Sequence, residues 1–329
     1  MSESDETAPE RWVSYRPDIK IVDCTVRDGG LINEHEFDDE LVRAVYRTCA
    51  EAGVDYVELG YKASKRIFAP DKHGRWKFCE EDDLRRVIGE KAAGTKVAVM
   101  ADADRCDYRT DILPRGQSVV DCVRVACYIH QIPLAMDMVR DAHDKGYETV
   151  LQLMAVSVVD EKEVHAALEE AVRSPVDAVS VVDSYGAMYS EQVRNLTAMY
   201  VKVFGPAGKE VGFHAHNNQQ LAFANTIEAL IAGANRLDAT ISGIGRGAGN
   251  CPLELLIGFL HNPKFHIRPV LKTCRDVFVP LAKEMEWGYS IPYALTGMLN
   301  RHPRAAIEWH AGPTPDDYVA FYDRIGQEE

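Results

Sequence analysis

The chain has 329 residues, of which 46% are hydrophobic and 27% are charged, a composition typical of globular proteins. Its formal net charge of -14 argues against non-specific binding to nucleic acid or to anionic membranes. No apolar run in the sequence is long enough to span a bilayer. Composition and charge therefore point away from nucleic-acid-binding and membrane-spanning proteins.

The first residues, Met1–Glu10, are acidic and lack the positive and apolar regions of a signal peptide. We expect a solvated acidic tail over residues 1–16. The eight cysteines show no CxxC spacing, which is typical of reduced, mostly buried thiols and not of a disulfide framework. A cytoplasmic location is the expectation that follows.

Strands with near-continuous apolar residues alternate with amphipathic helices along the chain. The predicted strands are 19–23, 54–60, 96–100, 119–125, 149–154, 178–182, a short strand within 211–218, and 236–240. The predicted helices are 38–52, 80–90, 133–145, 161–173, 190–204, 219–232 and 252–260. Alternating strands and helices form either a doubly wound sheet or a closed barrel.

Eight strand–helix units in about 250 residues favour the closed alternative, a (β/α)₈ TIM barrel. A doubly wound nucleotide-binding sheet would carry G-x-G-x-x-G after its first strand. Residues 25–30 stand there instead, with the sequence Thr-Val-Arg-Asp-Gly-Gly. We therefore predict an α/β protein with a barrel domain over residues 17–263 and a helical C-terminal extension over 264–329, including a helix at 270–286.

Two histidines, His214 and His216, lie two residues apart on the predicted seventh strand. Because side chains alternate between the faces of a strand, both imidazoles point toward the same small volume. Paired imidazoles can hold a divalent cation, although an ordinary pair of hydrogen-bonded histidines at a strand end is the alternative.

In a barrel of this kind, functional side chains gather at the carboxyl ends of the strands. The polar residues predicted to meet there are Arg27, Asp28, Glu58, Asp102, Arg124, Gln152, Asp183, Ser184, His214, His216 and Asn250. Two histidines, one carboxylate and one amide suit an octahedral divalent ion better than tetrahedral structural zinc. Arg27, beside Asp28, would stabilise a negative oxygen such as that of an enolate.

The glycine-rich loop at 243–250 follows the predicted eighth strand and precedes a helix. Such a loop either forms a tight connection or binds an anion through its backbone N–H groups. The loop at 62–77 is locally basic in an acidic protein. It is either a solvated loop or a cover over the rim that favours an acidic substrate.

Three motifs together resemble the metal-dependent TIM-barrel family that includes HMG-CoA lyase, isopropylmalate and homocitrate synthases, and 4-hydroxy-2-oxovalerate aldolase. They are Asp-Cys-Thr-Val-Arg-Asp-Gly at 23–29, Phe-His-Ala-His-Asn at 213–217 and Gly-Ile-Gly-Arg-Gly-Ala-Gly-Asn at 243–250. The resemblance covers roughly residues 19–262. It implies that Asp28, His214 and His216 are metal ligands, that Asn250 is a candidate fourth ligand, and that Arg27 polarises a 2-oxo group. Mn²⁺ is the expected ion, with Mg²⁺, Co²⁺ or Zn²⁺ as alternatives.

Departures from the family motifs separate its branches. HMG-CoA lyase carries a catalytic cysteine before the loop asparagine, whereas Cys251 follows Asn250 here. The Claisen synthases carry a glutamate where this chain has Gly30, and a Gly-x-Gly-Glu-Arg loop. The 243–250 loop is most similar to that of the aldolase branch. That branch carries a histidine base where Leu31 stands here, so His35, Tyr289 and Tyr293 are the candidate bases, and His302 is better explained as a helix-end residue.

The sequence thus predicts a carbon–carbon lyase that is a metal-dependent pyruvate aldolase, with substrate contacts from Arg27, Glu58, Arg124, Gln152, Asp183 and Ser184. A Claisen-type acyl-CoA synthase or an HMG-CoA-lyase-like enzyme is the alternative. The third hypothesis is a non-enzymatic barrel that binds a partner protein through its helical tail. The resemblance also implies a partner acylating aldehyde dehydrogenase, or a homodimer, at the C-terminal helices.

Overall fold

A computed structural model describes residues 18–327 of the chain, so the predicted tail at 1–16 lies outside the described residues. Eight parallel strands form a closed barrel in chain order, with the first strand paired to both the second and the eighth. The strands are β1 Lys20–Asp23, β2 Tyr56–Tyr61, β3 Lys96–Asp102, β4 Cys122–Cys127, β5 Glu148–Leu153, β6 Ala178–Asp183, β7 Glu210–Ala215 and β8 Arg236–Ala239. The predicted (β/α)₈ barrel is confirmed.

Helices surround the barrel and connect its strands. Those from the first strand to the end of the barrel are α1 Thr25–Gly29, α2 Asp39–Ala52, α3 Glu81–Ile88, α4 Tyr108–Asp111, α5 Ile132–Asp144, α6 Glu161–Val172, α7 Ser190–Phe204, α8 Ala222–Ile231 and α9 Leu253–Leu260. Local chemistry sets several of their ends. The Asp38 and Asp160 side chains accept hydrogen bonds from the first turns of α2 and α6. Gly53 ends α2 in the left-handed conformation, at φ 74°.

The barrel interior is layered, because alternate residues of each strand point inward. A lower apolar layer includes Val22, Tyr56, Cys122 and Val150. Two residues further along the strands, the interior becomes polar. This buried polar layer consists of Glu58, Arg124, Gln152, Ser180, His214 and Asp238. The larger hydrophobic core lies between the outer faces of the strands and the helices.

The C-terminal extension contains α10 Ile267–Thr273, α11 Val279–Leu281, α12 Ile291–Met298, α13 Arg304–His310 and α14 Tyr318–Gln327. The helix predicted at 270–286 is present as one continuous helical stretch from Ile267 to Leu281, with a π-helical turn at Cys274–Phe278, and it ends earlier than predicted. Pro280, in the short segment that follows, has no N–H to continue the helical hydrogen bonds.

Helix α12 packs against loops at the carboxyl ends of the strands. Asn218 Nδ2, in the loop after β7, donates a hydrogen bond to Thr296 Oγ1 at 3.3 Å. Ser157 Oγ, in the loop after β5, lies 2.8 Å from Asn300 Oδ1 just beyond α12. The extension therefore lies beside the mouth of the barrel, where functional groups are expected. Among the helices of residues 18–327, none is long and apolar enough to cross a membrane.

Candidate metal centre at the barrel mouth

Asp28 is carried by α1, a five-residue helix that starts two residues after β1. All residues of this helix are buried, and the Asp28 side chain is fully enclosed. Arg27 Nη1 donates a hydrogen bond to Asp28 Oδ1 at 2.9 Å. The sequence did not predict this short helix, because five residues carry no readable apolar period.

His214 and His216 come from β7 and from the residue just after it. Their rings lie edge to face, with centroids 5.2 Å apart. One ligand atom from each of Asp28, His214 and His216 lies within 4.8 Å of the other two. The alternation of side chains along a strand thus places both imidazoles beside the Asp28 carboxylate, as predicted.

Asn250 completes the group from the end of the glycine-rich loop. Its backbone forms an isolated antiparallel bridge with His216. Its Nδ2 donates hydrogen bonds to Asp28 Oδ2 and to the carbonyl oxygen of Ile244. A Cβ atom at Gly245 would lie 2.0 Å from Asn250 Nδ2 and 2.7 Å from Asp28 Oδ2. The glycine at 245 is therefore required for this close approach.

The donor atoms of this group fit a divalent cation. Three buried atoms, His214 Nε2, His216 Nδ1 and Asn250 Oδ1, have no hydrogen-bond partner within residues 18–327. Buried polar atoms are rarely left unpaired in native proteins. Burial alone would raise the pKa of Asp28, but His216 and Arg27 hold it well below its usual range, so the carboxylate is ionised. Imidazole nitrogen, carboxylate and amide oxygen are suitable ligands for such an ion.

A second cluster, Cys24, His214 and Asp238, also has ligand atoms within 4.8 Å of one another. Burial raises the pKa of the Cys24 thiol well above its usual value, so it stays protonated. Asp238 accepts hydrogen bonds from Arg124 Nη2 and faces His214 Nδ1 at 3.0 Å. These contacts occupy the carboxylate, so we place the candidate ion in the Asp28 group.

Two buried arginines connect these groups through shared carboxylates. Arg27 Nε donates to Glu58 Oε2 at 2.7 Å, and Arg124 Nη1 donates to the same oxygen at 2.8 Å. Arg124 Nη2 then reaches Asp238, which faces His214. Burial would raise the pKa of Asp238, but Arg124 lowers it to about 2. The chain of contacts fixes the orientation of Arg27 and of the His214 ring.

Three of the predicted substrate-binding residues lie below the mouth, in the buried polar layer of the barrel. Glu58 and Arg124 are bonded to each other below the mouth, and Gln152 lies 2.9 Å from Ser180 Oγ in the same buried layer. Glu58 thus orients Arg27, which is the member of this network next to the metal group. A substrate contact by Glu58, Arg124 or Gln152 stays a prediction.

Asp183 and Ser184 end β6 at the rim. Asp183 accepts hydrogen bonds from the backbone N–H groups of Ala187 and Met188, and burial raises its pKa to about 6. Ser184 Oγ accepts from Ala155 N at 2.8 Å. Both side chains shape the loops around the mouth, while their predicted contact with a substrate stays untested.

His35 is the candidate base that the structure brings to α1. Its side chain is 2% exposed, and its ring meets Tyr61 edge to face at 5.2 Å. A Cβ atom at Gly30 would lie 2.4 Å from His35 Nδ1, so the ring packs directly on this glycine. His35 Nδ1 is buried and has no hydrogen-bond partner in the described part of the chain. Burial and then Lys77 lower the pKa of His35 to about 3, so the ring is neutral near pH 7.

The two candidate tyrosines behave differently. Tyr289 is 64% exposed on the extension, so it does not fit its predicted role as a base. The physical reason is that the neighbouring Trp287 is the anchored residue, with its Nε1 donating to Ser242 O at 3.1 Å. Tyr293 is half-buried, and its ring lies where a Cβ atom at Gly247 would contact it at 3.0 Å. Tyr293 therefore lies at the mouth.

The sequence did not predict Asp238 or Arg246 as site residues. Arg246 was identified only as a member of the 243–250 loop. Asp238 gave one signal, since a carboxylate stood inside a short apolar strand. Arg246 lies between two glycines of the 243–250 loop, and its Nη2 donates to the carbonyl oxygen of Ser184 at 3.0 Å. Asp238 is adjacent to the metal group through its contact with His214, and Arg246 directly follows Gly245, which lies against Asn250 and Asp28.

The chain is similar in sequence to one known family and to several known enzymes. A family model described as HMGL-like matches residues 18–277. An oxaloacetate decarboxylase from Mycobacterium tuberculosis is 33% identical over 245 residues, which cover 73% of this chain and 69% of that protein. A 4-hydroxy-2-oxovalerate aldolase from Rhodococcus jostii is 31% identical and covers 73% and 70%, and one from Thermus thermophilus is 30% identical and covers 79% and 75%.

Solved structures share the fold. The N-terminal domain of a candidate aldolase from Bacteroides vulgatus superposes with a TM-score of 0.74 at 26% identity, covering 92% of this chain and all of that one. HMG-CoA lyase from Pseudomonas aeruginosa gives a TM-score of 0.66 at 17% identity, covering 90% and 99%, which shows the fold alone. The predicted family resemblance and the predicted class of carbon–carbon lyase are confirmed.

Proposed function

Because the chain belongs to the HMGL-like family, we propose that it is a divalent-metal-dependent aldolase that forms or cleaves the bond between C3 of pyruvate and an aldehyde carbon. The observation that carries the proposal is the buried group of Asp28, His214, His216 and Asn250, with its three unpaired donor atoms. The 4-hydroxy-2-oxovalerate aldolases among the relatives support the choice of reaction.

The four residues would hold Mn²⁺, with Mg²⁺, Co²⁺ or Zn²⁺ as alternatives. A bound ion supplies a Lewis acid that favours the enolate form of the 2-oxo acid. Arg27 stabilises the same negative oxygen from the side. Its Nε and one N–H of Nη1 are held by Glu58 and Asp28, which leaves other guanidinium N–H groups for the substrate. The fixed guanidinium requires little reorganisation during the reaction.

We assign the proton transfer to His35. In the cleavage direction the 4-hydroxyl loses its proton to the base, the C3–C4 bond breaks, and an aldehyde leaves. The resulting enolate then takes a proton at C3 to give pyruvate. His35 Nδ1 is buried and has no hydrogen-bond partner within residues 18–327, so the nitrogen is available to accept the proton. Its location on Gly30, two residues after Asp28, supports this role.

Two residues of this chain argue against the reactions of the Claisen synthases and of HMG-CoA lyase. A Cβ atom at position 30 would collide with the His35 ring, so a glutamate of the synthase type is incompatible with this arrangement. Cys251 is fully buried, and burial raises the pKa of its thiol to about 12. Cys251 is therefore unsuited to the role of the cysteine in HMG-CoA lyase.

Decarboxylation of oxaloacetate is the second candidate function, because the relative at 33% identity carries that name. Loss of carbon dioxide from oxaloacetate would leave the same pyruvate enolate in the same site. The two reactions differ in the group that leaves C3, and in the need for a base to remove a hydroxyl proton, which only the aldol cleavage has.

Exchange of the methyl protons of pyruvate with D₂O, followed by NMR, tests the proposal. We expect exchange that EDTA abolishes and Mn²⁺ restores. Asp28→Asn should slow it by at least roughly a hundredfold, because a charged ligand and a partner of Arg27 are lost together. Asp137→Asn, on the outer surface of α5, is the matched control. Absence of exchange with every divalent ion would contradict the aldolase, and CO₂ release from oxaloacetate reports the second candidate.

The predicted partner, either a second copy of the chain or an acylating aldehyde dehydrogenase, would dock on the C-terminal helices. The exposed apolar residues Met298, Val319 and Tyr322 of α12 and α14 support this location. We also retain the cytoplasm as the proposed compartment, which eight free cysteines support.

A further inference from the structure

Arg246 is partly buried, and it has no carboxylate partner in the described part of the chain. Within residues 18–327, no carboxylate oxygen lies within 4.0 Å of its guanidinium nitrogens. Its one hydrogen bond in this range goes from Nη2 to the carbonyl oxygen of Ser184. Its Nε is buried and has no partner there. A charged donor shielded from water is normally compensated, so Arg246 differs from the other site arginines.

The other cations near the mouth are already compensated by the protein. Arg27 pairs with Asp28 and Glu58, and Arg124 pairs with Glu58 and Asp238. In the basic loop at 62–77, three exposed side chains pair with carboxylates. These pairs are Lys65 with Glu80, Arg66 with Asp107, and Arg75 with Asp39 and Asp83. Lys77 also lacks a carboxylate within 4.0 Å in the described part of the chain, but its Nζ lies over the rings of Tyr61 and Phe68, at 4.6 Å and 4.3 Å from their centroids. Arg246 has neither kind of partner within residues 18–327, so its charge is available to a ligand.

Arg246 lies between the metal group and the C-terminal extension. On one side, the preceding residue, Gly245, lies directly against Asn250 and Asp28 of the metal group. On the other side, burial and then Arg246 lower the pKa of His302 to about 4. The ring of Tyr293 packs on Gly247, the next residue of the loop. A group extending from the metal site toward the extension would therefore pass the guanidinium.

We propose that Arg246 binds a carboxylate on the aldehyde portion of the substrate, so that the acceptor of this enzyme is a carboxylated aldehyde. The inference rests on the proposed aldolase function and extends it to the second substrate. A carboxylate matches the planar fork of a guanidinium and would satisfy the unpaired Nε. Asp183, the residue before Ser184, is already bonded to the backbone N–H groups of Ala187 and Met188.

The test compares acceptors of equal length that differ in charge. Pyruvate and Mn²⁺ are supplied with succinic semialdehyde or with butanal, and with glyoxylate or with acetaldehyde. We expect the wild type to show a higher kcat/KM with each carboxylated aldehyde. In Arg246→Ala this preference should fall by roughly tenfold to a hundredfold, the range for one hydrogen-bonded charge pair. Arg246→Lys should retain part of the preference, because it keeps the charge but not the fork.

Two controls separate the outcomes. Arg173→Ala removes an exposed arginine just after α6, at the opposite end of the barrel, and should keep the wild-type preference. Thermal unfolding of each variant reports folding. If the wild type exchanges pyruvate protons but uses both classes of aldehyde equally, or if Arg246→Ala keeps the preference, the inference is overturned while the aldolase stands. If the wild type shows no exchange, the proposed function itself has failed.

Discussion

Asn250 Nδ2 donates a hydrogen bond to Asp28 Oδ2 across 222 residues of sequence, and it leaves its own Oδ1 unpaired beside the histidines. This contact joins the first helix of the barrel to the loop after its last strand. Because Asp28 and Ile244 O hold the Nδ2 group, the buried amide oxygen is left without a partner in residues 18–327 and is available as a ligand. The contact therefore orients one candidate ligand by means of another.

Replacement of Gly245 by alanine should disrupt this contact. The added Cβ atom would lie 2.0 Å from Asn250 Nδ2, and so Asn250 and Asp28 would have to separate. We expect the affinity for Mn²⁺, measured by calorimetry on protein freed of metal, to fall by roughly tenfold to a hundredfold.

Gly116→Ala is the matched control, because a Cβ atom there meets nothing within 4 Å. Equal Mn²⁺ affinities for the two alanine variants would argue against a metal site that includes Asn250.

Asp238→Asn tests the contact beneath His214. The carboxylate faces His214 Nδ1 at 3.0 Å, which leaves Nε2 as the free ligand atom. Loss of its charge should weaken Mn²⁺ binding by roughly tenfold to a hundredfold and leave Arg124 short of one partner. Removal of one member of a buried ion pair costs about 3–5 kcal/mol, so the free energy of unfolding should fall as well.

Chemical denaturation measures the loss of stability in Asp238→Asn. Titration of the folded variant with Mn²⁺, without denaturant, measures its affinity for the ion. Asp137→Asn should change neither quantity, since that residue is exposed on α5. If Asp238→Asn binds Mn²⁺ as tightly as the wild type, the carboxylate does not orient His214.

The sequence was sufficient for the barrel and for predicting that Asp28, His214 and His216 lie together at its mouth. The barrel follows from apolar strands alternating with amphipathic helices, and the ligand set follows from motifs that end β1 and β7 or lie just beyond β8. His214 and His216 needed only strand alternation to be placed together. These inferences depend on local periodicity, which a single sequence records directly.

Contacts between residues far apart in the sequence could not be predicted from local periodicity. Glu58, Arg124 and Asp238 meet inside the barrel because three strands close around one axis, and no local pattern gives their distances. His35 reaches Gly30 through a turn in which Glu34 and His35 have φ of 54° and 66°, a conformation with a weak sequence signal in these residue types. The π-helical turn at 274–278 and the exposure of Tyr289 likewise depend on tertiary packing.

Gly30→Ala should separate proton transfer from metal binding. Gly30 has φ -61°, which alanine adopts freely, so the dihedral angles permit the change, although the added Cβ atom would also lie 2.9 Å from Val26 O and require a small shift there. The new Cβ atom would lie 2.4 Å from His35 Nδ1 and displace the ring. We expect exchange of pyruvate protons to slow by roughly a hundredfold, within the range for loss of a general base, while Mn²⁺ affinity stays within about threefold.

His35→Asn should show the same pattern, and Gly116→Ala should show neither change. Fast exchange in both Gly30→Ala and His35→Asn would remove His35 as the base and leave Tyr293 as the remaining candidate at the mouth.

The pH dependence of stability gives a separate measure of the buried His35 ring. Burial, followed by Lys77, lowers the pKa of His35 to about 3 in the folded protein, whereas an unfolded histidine titrates near 6.5. As the pH falls below about 6.5, the unfolded chain therefore takes up a proton that the folded chain refuses. The free energy of unfolding should decrease by up to about 1.4 kcal/mol per pH unit from this residue until the pH approaches 3.

His35→Phe removes this titration, so its stability curve between pH 6.5 and 4 should be flatter than that of the wild type. Denaturant unfolding in the presence of EDTA measures both curves without a contribution from bound metal. His165→Phe, at an exposed position on α6, should keep the slope of the wild type. If the curves of His35→Phe and the wild type run parallel, the His35 ring is not enclosed in the way that its packing on Gly30 and Tyr61 indicates.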